Sequence, residues 1–175
     1  MVEILRDIGT IARALDSIAN VEFKNYKLSK GQYLYIVRIY ENPGIIPDKL
    51  AELVKVDRTT AARSINKLVE NGLIKKMTDP ANKKIRRLYV TSKGIEVVPI
   101  IQKENDYSNT VALQGFTEEE ALQFSSMLKK ISTNIDSDWK IVKKGHKRNY
   151  LKGNDSNEGW NQKMWIKRFG LYSQN

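Results

Sequence analysis

Residues 46–94 read IPDKLAELVKVDRTTAARSINKLVENGLIKKMTDPANKKIRRLYVTSKG, and this stretch decides the fold. Pro47 suits a first helical position, because its missing N–H would have found no partner there anyway. Leu50, Leu53 and Val54 follow at spacings of three and four, which is one helical face. The pattern breaks at Lys55-Val56, and Asp57 is a good N-cap for a second helix. Ala61, Ile65, Leu68 and Val69 make the buried stripe of that helix, and Asn71-Gly72 supplies its stop.

The opposite face of the second helix carries Arg58, Thr59, Thr60, Arg63, Ser64 and Lys67. Most are cations or short hydroxyls, so the backbone can approach a partner closely. Arg and Lys pair with guanine edges, while Thr and Ser take phosphates or bases. Two helices joined by a tight turn, with that outer face, describe a helix-turn-helix that reads the major groove. An ordinary solvated helix pair would satisfy the helices alone.

The segment after the second helix favours the groove reader. Leu73–Met77 has the pattern of a short strand, Asp79-Pro80-Ala81-Asn82 is turn chemistry, and Arg87–Thr91 is a return strand with Leu88 and Val90 on one face. Between them lies Lys83-Lys84-Ile85-Arg86-Arg87. A two-stranded ribbon with a cationic tip, placed directly after such a helix, is a wing. Its Lys83, Lys84 and Arg86 can reach the flanking backbone or the narrow minor groove, where negative potential attracts cations.

These residues resemble a known family. Leu68-Val69-Glu70-Asn71-Gly72-Leu73-Ile74 is similar to the end of the recognition helix in the MarR (multiple antibiotic resistance regulator) group of transcriptional regulators. Asp79–Lys84 and Leu88–Gly94 are similar to that group's wing and the helix start after it. The resemblance covers roughly residues 1 to 138. It departs at the wing tip, where Asn82-Lys83-Lys84 stands in place of the family's usual Asp-x-Arg. The salt bridge that braces the family's wing arginine is therefore absent, and Lys84 keeps the charge as a point donor without the planar fork.

Charge is segregated along the chain. Residues 55–93 hold eleven cations against three acids, a net of +8, whereas residues 1–54 balance. Residues 94–139 carry a net −5 and residues 140–175 a net +7, within a whole-chain charge of +10. Cations concentrated on one module are what a phosphate backbone asks for. A hydrophobic content of 41% supports a real core. No apolar run is long enough for a transmembrane helix, and the charged N-terminus is not a secretory signal. The absence of cysteine excludes disulfides and thiol sensing and fits a cytoplasmic protein.

Outside the central module the chain is amphipathic. Residues 3–19 carry Ile4, Leu5, Ile8, Ile11, Ala12, Leu15 and Ile18 at helical spacing, a stripe wide enough to share with a second subunit. Residues 20–28 read as an irregular connection. Ser29-Lys30-Gly31-Gln32 has the form of a capping box opening the next helix, which Asn42-Pro43-Gly44 ends. After the wing comes a helix apolar on more than one face, with Pro99 expected to bend it or mark a second start. Thr117–Glu120 is another capping box, followed by a stripe of Leu122, Met127, Leu128, Ile131 and Ile135. Residues 139–175 begin with Trp139–Val142, which extends that helix, and form a basic, aromatic extension with a flexible loop at 153–159 and an apolar stretch at 160–172. The extension reads equally as an added contact surface and as a helix packed on the protein itself.

The expected fold is mainly α with a small β wing: a winged helix-turn-helix at 29–93 and a helical dimerisation domain built from 1–28 and 94–138. One winged module cannot cover three amphipathic helices, but a two-fold homodimer can. The resemblance implies a small aromatic or amphipathic effector in the crevice beside the first helix of the module, with the Tyr33 hydroxyl as its candidate contact. No catalytic constellation is present: one histidine, no cysteine nucleophile and no phosphate-binding loop. No enzyme activity, cofactor or metal is expected. The expectation is a sequence-specific regulator of transcription that binds double-stranded DNA, a repressor released by its effector. A winged-helix module that binds proteins and a nonspecific architectural DNA binder are the alternatives.

Overall fold

The computed structural model describes residues 3–29 and 31–148. Among these the chain forms six α-helices and one two-stranded antiparallel sheet, in the order α1 (Ile4–Glu22), α2 (Gln32–Glu41), α3 (Pro47–Leu53), α4 (Arg58–Glu70), β1 (Ile74–Thr78), β2 (Arg86–Val90), α5 (Ser92–Ala112) and α6 (Glu118–Lys143). The chain divides into two compact units, Glu3–Ala112 and a second that begins at Leu113.

In the first unit the core gathers where α2, α3, α4, the wing base and the start of α5 meet. Ile36, Ile39, Leu50, Ile65, Leu68, Leu88, Val98 and Ile101 are all buried there. Each large aliphatic group removed from water contributes about 1.5–3 kcal/mol to holding these elements together. The sequence stripe is slightly too generous. Ala61, Ile65 and Leu68 are buried, whereas Leu53 and Val69 are surface residues. Val69 lies at the edge of the α4 stripe, where the 3.6-residue period has turned away from the core.

The strands pair in register from Ile74 opposite Val90 to Thr78 opposite Arg86. Ile45 adds an isolated bridge to Leu88, so the base of the wing has a third backbone partner. Helix α5 enters the core through Gly94, where an added Cβ would collide with the Leu73 carbonyl oxygen. It runs through Pro99 without a second start. Proline sits in its first half, with the outer side chain exposed, and the helix on either side is anchored by buried Val97, Val98 and Ile101.

Two expectations need correcting. Residues 20–28 are not an irregular connection: α1 runs to Glu22, a 3₁₀ turn spans Lys24–Tyr26, and Phe23 and Leu28 are core residues. Phe23 supplies the anchor that orders this segment, packing against the Tyr33 ring at 5.5 Å between centroids. The capping box at Ser29 is remade as well. Gln32 Oε1 accepts from the Ser29 amide at 3.2 Å, but Gly31, in the left-handed region, is the N-cap and α2 starts at Gln32. The amphipathic stripe of α1, read as one to share with a second subunit, is almost entirely exposed, with only Ala19 of the helix buried.

The second unit carries α6. Its capping box forms in full: Glu120 N–H donates to Thr117 Oγ1 at 3.2 Å and Thr117 N–H to Glu120 Oε2 at 2.8 Å. Trp139–Val142 does extend the helix, and Lys143 lies over the Trp139 ring at 4.5 Å. No α6 residue is buried; Leu122 and Met127 are 66% and 57% exposed. The loop read at 153–159 and the apolar stretch at 160–172 lie outside the described residues.

Candidate nucleic-acid interface

Helix α4 begins where Asp57 accepts from the Thr60 amide at 2.9 Å and from the Thr60 hydroxyl at 2.6 Å. These bonds hold the Asp57 carboxyl below its usual range, the Thr60 hydroxyl contributing most. The turn before it is sharp: Lys55 adopts φ 57°, a left-handed conformation that β-carbon residues seldom take. A carboxylate cap and a turn with a left-handed residue together start α4 at Arg58.

Helical geometry sorts the predicted contacts. Taking Ala61, Ile65 and Leu68 as the buried side, a 3.6-residue period puts Thr59, Arg63 and Lys67 opposite. All three are exposed. Arg58 falls on a flank and pairs with Asp48 of α3 at 3.0 Å. Ser64 falls on the other flank and is half-buried. Thr60 is exposed but donates its hydroxyl hydrogen to Asp57, so only its lone pairs face outward. Lys67 shares a salt bridge with Glu70 at 3.2 Å. The same period places Asn66 on the outer face, where Lys76 of β1 donates to its Oδ1 at 2.6 Å. Asn66 is absent from the contacts expected from the sequence. Its i, i+7 relation to Thr59 was the available signal.

The wing is braced, but not at the tip position the resemblance points to. Asp79 is 5% exposed and accepts from the amides of Ala81 and Asn82 at 2.8 and 3.2 Å. Its other oxygen accepts from Arg87 Nε, and Arg87 Nη1 donates to the Gly44 carbonyl at 3.1 Å. Arg87 first, then the Ala81 amide, holds the Asp79 carboxyl below its usual range. Asn82 Oδ1 in turn accepts from the Lys84 amide at 3.0 Å, and Arg86 Nη1 donates to the Lys83 carbonyl at 2.7 Å. Lys83 and Lys84 are left exposed at the tip.

Tyr33 sits apart from this face. Its hydroxyl donates to Asp16 Oδ1 at 3.3 Å, and its pKa is pushed up to about 12, by burial first and then by the Asp16 charge. It lines a cavity of about 310 Å³ with Ile11, Leu15 and Glu104. No group of metal-ligating side chains occurs among the described residues. None of the described helices is long and apolar enough to cross a membrane.

Comparison with known proteins matches this geometry. The MarR family model matches residues 28–85. The HTH-type transcriptional regulator YybA of Bacillus subtilis (strain 168) is 58% identical over 150 residues, which are 86% of this chain and all of that protein. A MarR family transcriptional regulator from Listeria monocytogenes, solved complexed with 26mer DNA, is 56% identical with a TM-score of 0.83, covering 86% of this chain and 100% of that one. A MarR protein from Peptoclostridium difficile is 37% identical with a TM-score of 0.77, over 79% and 91% of the two chains. The wing, helix α4 and full-length relatives of this similarity lead to one conclusion: the chain belongs to the MarR family of HTH-type transcriptional regulators.

Proposed function

We propose that the protein is a cytoplasmic homodimer that binds a pseudo-palindromic DNA site in a sequence-specific way and represses transcription until a small effector binds. The observation that carries DNA reading is the outer face of α4, with Thr59, Arg63, Asn66 and Lys67, beside a braced wing whose Lys83 and Lys84 are exposed in a segment of net charge +8. Residues 29–93 then form the reading module. Residues 1–28 and 94–138 form the dimer part, and residues 139–175 are an extension.

The dimer rests on exposed apolar surface. Leu5, Ile11, Leu15 and Ile18 of α1 and Leu122, Met127 and Ile135 of α6 are all solvent-facing. Stripes of this kind mark interaction surfaces. A two-fold partner covers them and sets two reading helices about one DNA turn, roughly 34 Å, apart. An effector that enters the cavity beside Tyr33 and prefers a different spacing draws the population away from DNA. Glu104 on the cavity wall favours a neutral or cationic amphipathic effector over an aromatic acid.

The test is a binding titration on duplexes from the protein's own upstream region, at two salt concentrations, with scrambled duplexes as competitors. Preference for one duplex that persists at the higher salt supports the reading. Equal binding to every duplex with a steep salt slope would mean an architectural binder. Sedimentation of wild type and Leu122→Glu checks the dimer, which the charge should weaken.

A further inference from the structure

We propose that Arg87 is a positioning residue for DNA binding: it ties the wing to the turn before α3 and so sets where Lys83 and Lys84 meet the duplex. This rests on the reading that the wing touches DNA.

A two-stranded hairpin is marginal on its own in water. Here each strand has only five residues, so what holds the hairpin at a fixed angle matters. Part of the hold is backbone: Gly44 N–H donates to the Leu88 carbonyl at 2.9 Å, and Leu88 N–H to the Ile45 carbonyl at 3.0 Å. Ile74 and Leu88 seat the strand bases in the core, and Lys76 of β1 bonds Asn66 of α4 at 2.6 Å. Nearer the tip the hold is one guanidinium. Arg87 lies on β2 beside the buried Leu88, so strand alternation turns it to the other face, where an arginine would ordinarily be solvated. Instead it bonds in two directions, through Nε to the buried Asp79 at the start of the tip and through Nη1 to the Gly44 carbonyl.

Those three points belong to three different segments: the outgoing strand end, the return strand and the α2–α3 connection. Gly44 has φ +83°, and a Cβ there would meet Tyr89 Oη at 3.1 Å, so the direction of its carbonyl is fixed by a conformation suited to glycine. The connection leads directly into α3, which packs on the reading helix. One rigid body thus carries both α4 and the wing tip, and the ordering cost of the tip is met in folding rather than in binding.

The tip is organised around the same anchor. Asp79 N–H donates to the Ile85 carbonyl at 3.1 Å, and Ile85 N–H to the Asn82 carbonyl at 2.9 Å. Asp79 and Asn82 side chains take the amides of Ala81, Asn82 and Lys84. Arg86 is turned back onto Lys83. Of the four cations here, two are bonded within the wing. Lys83 and Lys84 have no ion pair among the described residues and project from a tip whose amides are largely satisfied. A lysine at position 87 would keep the charge but replace the two differently directed donors of the planar fork with a single ammonium.

The experiment uses the full chain in anisotropy titrations from 50 to 200 mM salt on its preferred duplex, with circular dichroism melts alongside. The proteins are wild type, Arg87→Met, Arg87→Lys, the double variant Lys83→Ala/Lys84→Ala, and that double variant with Arg87→Met added. Arg87→Met should bind about tenfold more weakly, with a salt slope shallower by about one to two phosphate contacts. Arg87→Lys should recover part of the loss. Arg87→Met should add less than about twofold to the double variant, as expected when two changes act through one contact. Should Arg87→Met fail to fold, Asp79→Asn, which keeps size and an accepting oxygen, carries the same expectations. Wild-type affinity and slope in Arg87→Met, beside a weakened double variant, overturns the positioning role and leaves the wing contact standing. A full additive loss on top of the double variant also overturns it, since Arg87 would then act elsewhere. A double variant that binds like wild type removes the wing contact itself, and this inference with it.

Discussion

Thr60 binds Asp57 twice, its amide at 2.9 Å and its hydroxyl at 2.6 Å, so a side chain facing the proposed groove is also half of the helix cap. Thr60→Ala should loosen the first turn of α4 while leaving duplex preference unchanged, read by hydrogen exchange at residues 58–61 and by competition titration. Because Asp57 is held below its usual carboxyl range, the cap is intact above about pH 4 and is lost as pH falls through the lowered value. Relative to the intrinsic exchange rate at each pH, the protection of wild type should fall in that acid window and approach that of Thr60→Ala.

Arg63 stands opposite the buried stripe of α4 and is exposed. Arg63→Ala should weaken binding to the preferred duplex by about 1–3 kcal/mol and relax its sequence preference. A uniform loss over all duplexes would instead make Arg63 a phosphate contact.

Gly94 admits α5 against Leu73 and Val90 with no room for a methyl group, the nearest obstacle being a backbone oxygen. Gly94→Ala should destabilise the fold by about 1–3 kcal/mol, or more if the strand cannot shift. Urea denaturation followed by circular dichroism measures it, and an unchanged midpoint would show that α5 can move away at little cost.

Tyr33 is pushed up to about 12 by burial and by Asp16. Between about pH 10 and 12 the unfolded chain therefore releases this proton while the folded chain keeps it. The stability tied to Tyr33 is full below about pH 10 and is lost as pH rises through about 12. Tyr33→Phe should flatten that part of the alkaline denaturation profile. A profile identical to wild type would show that the Tyr33 hydroxyl has no part in it.

Much of the reading module was legible because local chemistry and long-range packing agree there. Asp57, Asn71-Gly72 and the α4 stripe each act within one helix, where periodicity and capping are strong signals. The wing strands followed from alternation and turn residues to within one position at each end. Legibility failed where partners are distant in sequence. Phe23 joins the core through tertiary packing on Tyr33, so an irregular-looking segment became ordered. Arg87 read as one more cation of a basic run, because its bond to Gly44 spans 43 positions.

The sequence by itself determined the order of helices and strands, the cationic character of the central module and its family, since these depend on spacing, caps and composition. Only the tertiary structure decided which side chains of that module stay available to a partner. Arg58 is engaged by Asp48 and Arg87 by the Asp79–Gly44 pair, contacts made between elements, while Thr59, Arg63, Lys83 and Lys84 stay exposed. The physical reason is that a charged or hydroxyl side chain bonds whatever folding brings within about 3 Å, and that neighbour is set by how the elements pack.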